Sequence, residues 1–215
     1  MINTIIFDMD GVLIDSVGYH RKAFEEVFLK HGLKINKEDF KEVGGMTTRE
    51  IFEKIAEKHE RVMDVDAMTE EKDQKAFERI SSDLIIFDGV SELINKLKEE
   101  GFRIGFATSS HKPVVDIFFD KSGLRDKFDS KVMGVDLHRS KPDPEVFLLA
   151  AERMRSVPEQ CVVVEDGVQG IIAAHNAGMK CIGVNSRFIK PEDIEKADVI
   201  VESIKEITPE MIRNL

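Results

Sequence analysis

Apolar and polar positions along the chain follow two different periods. The run Thr4-Ile5-Ile6-Phe7 is continuously strand-like and ends on Asp8, the pattern of a parallel strand covered on both faces. From 19 to 30 the period changes. Ala23, Phe24, Val27 and Phe28 recur at helical spacing and Gly32 offers a stop. Asn36 followed by Asp39 marks a second helix start. Thr47 with Glu50 writes a capping box ahead of Ile51, Phe52, Ile55 and Ala56. Residues 53–79 are densely charged, as solvated helix faces are, and Met63, Val65 and Met68 break the run with apolar contacts. Between about 15 and 87 no stretch reads as a strand.

Beyond Asp88-Gly89-Val90 the two periods alternate. Helices are expected over 91–100, from Pro113 through Phe118, over 143–154, over 168–177 and from Pro209. Strands are expected over 103–107, 131–135, 161–164, 181–184 and 199–201. Strands alternating with helices of this length indicate an α/β fold, a parallel sheet with helices on both faces. The first strand belongs with this set, so a core of 1–14 plus 88–215 is expected, interrupted by an all-helical insert at 15–87.

Composition narrows the picture. With 215 residues, 42% of them hydrophobic, the chain can build a sizeable core. A net charge of -10 argues against nucleic acid, which needs a basic face. The first apolar run stops at Asp8 with no basic segment before it, so no signal peptide is expected. No run approaches the length of a membrane span. Cys161 and Cys181 open two apolar strands and read as small core residues. A cytoplasmic monomer is the resulting expectation.

The candidate chemistry sits at strand ends. Asp8 and Asp10, two apart in extended chain, project the same way where the first strand ends, and in open α/β sheets that end is where ligands bind. Two carboxylates held there repel unless a cation lies between them or one takes a proton. Three further groups converge on the same crevice if the sheet is parallel: Thr108 after one strand, Lys141 before a helix start, and Glu165-Asp166 after another strand. Hard carboxylate oxygens suit Mg²⁺, and a hydroxyl with an ammonium suits the oxygens of a phosphoryl group.

These residues carry a resemblance. Phe7-Asp8-Met9-Asp10-Gly11-Val12-Leu13-Ile14-Asp15-Ser16 resembles the first signature of the haloacid dehalogenase-like hydrolase superfamily. Thr108 matches its second motif, Lys141 in Ser140-Lys141-Pro142-Asp143-Pro144 its third, and Val164-Glu165-Asp166-Gly167 its fourth. The helical insert is similar to the cap of the subfamily that contains β-phosphoglucomutase and phosphoglycolate-type phosphatases. The resemblance implies a Rossmann-like core and Mg²⁺-dependent phosphoryl transfer through an aspartyl phosphate. Asp8 is the implied nucleophile and Asp10 the implied acid and base. Thr108 and Lys141 are the implied phosphoryl holders. Asp8, the Asp10 carbonyl, Asp166 and the adjacent Glu165 make up the implied metal set. An acid at position 10 sets the chain apart from the dehalogenases and phosphonate-cleaving relatives. Substrate contacts are expected from Ser109, from Arg49 in Gly44-Gly45-Met46-Thr47-Thr48-Arg49, and from His20 and Lys72. His111 stands where the mutases have a lysine. The expected activity is phosphatase action on a small phosphorylated metabolite such as a sugar phosphate. A phosphomutase and a non-catalytic phosphate-binding module are the alternatives.

Overall fold

The computed structural model describes residues 1–36, 39–40, 43, 46–110, 112–185 and 191–215. The chain divides into two compact units, one made of Met1–Asp15 with Ile85–Leu215 and the other of Ser16–Leu84.

The first unit is built on a six-stranded parallel sheet. In chain order its strands are β1 (Thr4–Phe7), β2 (Arg103–Ala107), β3 (Ser130–Val132), β4 (Cys161–Glu165), β5 (Lys180–Val184) and β6 (Val199–Val201), and in space they run β3-β2-β1-β4-β5-β6. This is the order of doubly wound nucleotide-binding folds, whose crevice opens where the order reverses. Here that point lies between β1 and β4, which pair in register from Thr4 with Cys161 to Phe7 with Val164. Side chains on β1 alternate between two apolar layers. Ile6 joins Val163 of β4 in a cluster with Val146, Phe147 and Ala150 of α5 (Glu145–Arg153) and Ile171 of α6 (Val168–Asn176). On β2, Phe106 packs against Phe118 and Phe119 of α4 (Lys112–Ser122) and against Phe128 at ring separations of 5.8, 5.0 and 5.6 Å. Its neighbour Ala107 faces the cluster around Ile6. Each fully buried Phe contributes about 1.5–3 kcal/mol relative to exposure, and a central strand buried on both faces cannot slip without losing this on both sides.

The third strand is shorter than expected. Its ladder ends at Val132, and Gly134–Asp136 turns as a 3-10 segment held by Asp136, whose carboxylate accepts from the Met133 N–H at 3.0 Å. The backbone also comes close to its neighbour here, where only glycine fits: a Cβ on Gly134 would lie 2.6 Å from the Ser109 carbonyl oxygen.

The second unit is helical among its described residues. It contains α1 (Val17–Lys30), α2 (Thr48–Lys58) and α3 (Val65–Ser82). Phe24, Phe28 and Phe52 form its centre, with Phe28 and Phe52 at 4.9 Å and Phe24 and Phe52 at 5.2 Å. The capping box at α2 forms as its residues predict: Thr47 accepts from the Glu50 N–H, and the Glu50 carboxylate accepts from the Thr47 N–H at 2.7 Å. Asn36 and Asp39 reciprocate in the same way, at 2.8 and 3.1 Å. No helix among the described residues is long and apolar enough to cross a membrane. Both cysteines are buried and reduced, Cys161 in β4 and Cys181 in β5.

Candidate active site

β1 delivers Asp8 to the end of the sheet. Its N–H donates to the Val164 carbonyl at 3.0 Å, which continues the β1–β4 ladder by one residue. The chain then turns: Leu13 and Ile14 donate back to the Met9 carbonyl at 2.8 and 3.1 Å. Gly11 makes the turn possible. Its φ of +76° is strained for an L side chain, and a Cβ there would lie 1.9 Å from Oδ2 of Asp166. The bare Cα of Gly11 thus lets the Asp166 carboxylate come against the turn after β1. Gly11→Ala is expected to lose about 1–3 kcal/mol of stability from the conformation alone, and to push the Asp166 carboxylate away. A thermal melt compared with a Mg²⁺ titration of the same variant reads both effects.

Lys141 binds the cluster together. Its Nζ donates to Oδ1 of Asp8 at 2.6 Å and to Oε1 of Glu165 at 2.7 Å, and it lies 4.9 Å from the Phe147 ring centre. The other Glu165 oxygen accepts from the Gly167 N–H at 2.6 Å. Asp8, Thr108 and Glu165 are buried, and Lys141 is only 12% exposed in its side chain. Beside them, Oδ2 of Asp10 accepts from the Ser110 hydroxyl at 2.5 Å and, at the long distance of 3.5 Å, from the Thr108 hydroxyl. The Thr108 hydroxyl also accepts from the Ser110 N–H at 3.0 Å, so the turn after β2 orders itself around these two side chains.

The electrostatics follow from crowding. Burial pushes the Asp8 carboxyl up from 3.8 to about 7; Lys141 opposes this, while Glu165 and Asp10 add to it. Asp166 is held well above the carboxylate range by burial and by Glu165, Asp8 and Asp10. Lys141 is held in its charged form, the attraction of Asp8 and Glu165 outweighing the desolvation that works against it. Four acidic side chains, Asp8, Asp10, Glu165 and Asp166, therefore crowd around one ammonium, which bonds to two of them. Such crowding suits a divalent cation, which would let these acids ionise together, and an anionic substrate can enter only with its charge offset.

Of the residues expected from sequence, the sheet end brings together Asp8, Asp10, Thr108, Lys141, Glu165 and Asp166. Ser109, the neighbour of Thr108, is exposed. His20, Arg49 and Lys72 belong to the helical unit. His20 lies half-buried on α1 and its N–H donates to the Ser16 carbonyl. The Arg49 guanidinium is half exposed and pairs with Glu53 and with Asp66. Lys72 is buried, donating to Thr48 Oγ1 at 3.2 Å and Asp73 Oδ1 at 3.0 Å with its Nζ over the Phe24 ring. Arg49 and Lys72, expected as substrate contacts, therefore have partners inside their own unit. Gly44, Gly45 and His111 lie outside the described residues. Ser110 is a polar side chain of the cluster that sequence reasoning did not single out; its position two after a strand-end threonine is the signal that could have found it.

Residues 5–184 match the family model described as haloacid dehalogenase-like hydrolase. Fructose-1-phosphate phosphatase YqaB of Escherichia coli (strain K12) is 35% identical over 182 residues, spanning 84% of this chain and 95% of that protein. Among solved structures, β-phosphoglucomutase from Clostridium difficile aligns with a TM-score of 0.81 at 29% identity, covering 100% of this chain and 96% of that one. CbbY from Rhodobacter sphaeroides, solved in complex with phosphate, aligns with a TM-score of 0.80 at 26% identity over 100% of both chains.

Proposed function

Because this chain belongs to the haloacid dehalogenase-like hydrolase family, we propose that it is a Mg²⁺-dependent phosphatase acting on a small phosphorylated metabolite, of the sugar phosphate class, through an aspartyl phosphate on Asp8. The observation that carries this reading is the buried Lys141 ammonium joined to Asp8 at 2.6 Å, with Asp10 held beside it by Ser110. A carboxylate fixed by an ammonium is a nucleophile held in place, and a second, less buried carboxyl next to it can exchange protons with solvent and substrate.

The steps balance on these two residues. An Asp8 oxygen bonds to phosphorus as the bond from phosphorus to the leaving oxygen breaks, and protonated Asp10 gives its proton to that oxygen. Water then attacks the phosphorus of the acyl phosphate while the Asp10 carboxylate takes its proton. Phosphate leaves, and Asp8 is a carboxylate again. Lys141 and Thr108 hold phosphoryl oxygens while charge spreads over them, so positioning and electrostatics supply most of the rate.

The donor set fits Mg²⁺. Asp8, Asp166 and the Asp10 carbonyl would hold it, and it would supply charge to offset the phosphoryl oxygens. Among the described residues no group of three His, Cys, Asp or Glu side chains forms a ready-made metal cage. Mg²⁺ needs only one or two protein carboxylates and completes its shell with water and phosphate oxygens. Mg²⁺ at about a hundred times its dissociation constant is expected to stabilise the protein by about 2.7 kcal/mol. A rise in melting temperature that is lost in Asp166→Asn supports the site; an equal rise in both proteins contradicts it.

The helical unit Ser16–Leu84 serves as the cap that selects substrate. Arg49 is the cap residue to test, because exposed ion pairs such as those with Glu53 and Asp66 contribute about 0–1 kcal/mol and yield to a phosphate. The structural likeness to β-phosphoglucomutase keeps a second reading, transfer of the phosphoryl group back to a sugar hydroxyl. Phosphate release from a panel of phosphorylated metabolites, with and without Mg²⁺, tests the function. Release that requires Mg²⁺ is expected. Conversion of glucose 1-phosphate to glucose 6-phosphate with no release from any compound would establish the mutase instead.

A further inference from the structure

We infer that Asp66 is a specificity-determining residue of the helical unit: with Glu53 it sets two negative charges on the Arg49 guanidinium, and so disfavours esters that bring a second anionic group. This rests on the phosphatase reading given above, with Arg49 as the substrate contact of the cap. Arg49 stands in the first turn of α2, the end of a helix at which a cation is unfavourable. The helix does not need it there, since Thr47 and Glu50 already form the capping box. Nη1 of Arg49 donates to Glu53 at 3.3 Å, one turn on along the same helix, and Nη2 pairs with Asp66. At that spacing, an acid after the cation is the weaker order for a helix. The helix itself therefore gains little from Arg49.

Asp66 comes from the first turn of α3, where Asp64 already caps the helix by accepting from the Ala67 N–H at 3.1 Å. Its side chain is 78% exposed and pairs across to Arg49. The second cation at the start of α2 is balanced too: Lys72 donates to Thr48 at 3.2 Å and to Asp73 at 3.0 Å. Arg49 and Lys72 thus face three carboxylates, Glu53, Asp66 and Asp73. The start of α2 is over-neutralised, and the roughly half unit of positive charge at a helix end does not reverse the sign. The neutral remainder of a sugar monophosphate meets no penalty from this balance. A second phosphate must displace an acid from Arg49 or bring its charge beside one. Exposed ion pairs are weak, so the bias is modest, up to about fivefold in affinity. A mutase must hold a sugar bisphosphate while the phosphoryl group changes position, so the same balance weighs toward water as the acceptor.

The probes are glucose 6-phosphate with glucose 1,6-bisphosphate, and fructose 6-phosphate with fructose 1,6-bisphosphate. They are titrated by calorimetry, with Mg²⁺ present, into the full chain carrying Asp8→Asn, so that none is turned over. The bisphosphate-to-monophosphate ratio of affinities is compared with and without Asp66→Asn, Asp66→Glu, Arg49→Gln and Arg49→Gln/Asp66→Asn. A ratio cancels whatever a substitution does to folding or to the phosphate site that both esters share. Asp66→Asn is expected to move the ratio toward the bisphosphate by about two- to fivefold. Asp66→Glu, which keeps the charge, should hold the ratio of the unsubstituted protein. Once Arg49 is glutamine, Asp66→Asn should move the ratio by less than about twofold, since residues acting through one contact are not additive. An unchanged ratio in Asp66→Asn would overturn the proposal, as would the full shift persisting without Arg49. A shift toward the monophosphate would overturn it too, and would make Asp66 the residue that aims Arg49 at a second phosphate. Binding of none of the four esters would remove the sugar phosphate reading and this proposal together. A parent protein that binds them but releases phosphate from no ester defeats the phosphatase reading alone, and the ratios still decide the role of Asp66.

Discussion

Asp8→Asn is expected to abolish turnover, with a loss on the order of 10⁴-fold or more in kcat, while the chain stays folded. The size follows from the role: removal of a nucleophile leaves only binding and electrostatic contributions, as in other enzymes with covalent intermediates. The same variant carries a second signature without Mg²⁺. In the folded protein the Asp8 carboxyl is raised from 3.8 to about 7, chiefly by burial, so the folded state binds that proton more tightly than the unfolded chain. The stability tied to it is therefore fully present below the ordinary value and is lost as pH rises to about 7. Asparagine has no proton to lose there. Metal-free Asp8→Asn should melt higher than the parent at pH 7.5, and the gap should close as pH falls toward about 4. Circular dichroism melts across that range, with phosphate release measured at each pH, check both statements. Activity near the parent level would remove Asp8 from the mechanism, whatever the melts show.

Lys141→Met carries the second large effect. Its ammonium is the shared partner of Asp8 and Glu165, both buried. Breaking a buried pair by deleting one side costs about 3–5 kcal/mol while the other charge persists. The carboxyls can avoid part of that cost by taking up protons. Lys141 is the group that lowers Asp8, so without it the Asp8 carboxyl moves further above about 7 and is protonated at neutral pH. A protonated carboxyl is a poor nucleophile, and a loss of about 10³-fold or more in kcat/KM at pH 7 is expected. The sign of the stability change follows as before. With the carboxyls raised further, stability is kept at low pH and lost over a window that extends higher. The melting deficit of Lys141→Met should thus be larger at pH 8 than at pH 5.5. A deficit that does not change with pH would show that the ammonium is a packing element rather than the charge partner of these acids.

How much of this could be read in the sequence depends on the range of the cause. The β1 run, the capping box at Thr47 and Glu50, and the pairing of Asp8 with Asp10 arise within a few residues, and each was legible. The position of β1 at the centre of the sheet, between β2 and β4, was not, since it depends on which long crossover lies on which side. Strand β3 ends earlier than its sequence suggests for a local reason: Val135 continues the apolar run, whereas Gly134–Asp136 turns as a 3-10 segment. In the site, residue types were legible and directions were not. Nothing in Glu165-Asp166 says that one turns to α6 and the other to the β1 turn; that comes from the space left by Gly170 and Gly11. A hydroxyl two residues after a strand is common in turns, and only the fold brings Ser110 to 2.5 Å from Asp10. Lys72 shows the reverse. Its charged surroundings in sequence do not show that its ammonium is buried over the Phe24 ring with Asp73 and Thr48 as partners.

The covalent step on Asp8 is the centre of the account, and it can be trapped. The enzyme is mixed with Mg²⁺ and the phosphate ester it hydrolyses fastest, quenched in acid within a turnover, and treated with borohydride, which reduces an acyl phosphate to an alcohol. Peptide mass spectrometry should then find homoserine in place of Asp8 in the parent protein, and no such conversion in Asp8→Asn or when the ester is left out. Turnover without conversion at Asp8, or conversion at another carboxylate, would contradict the mechanism at its first step.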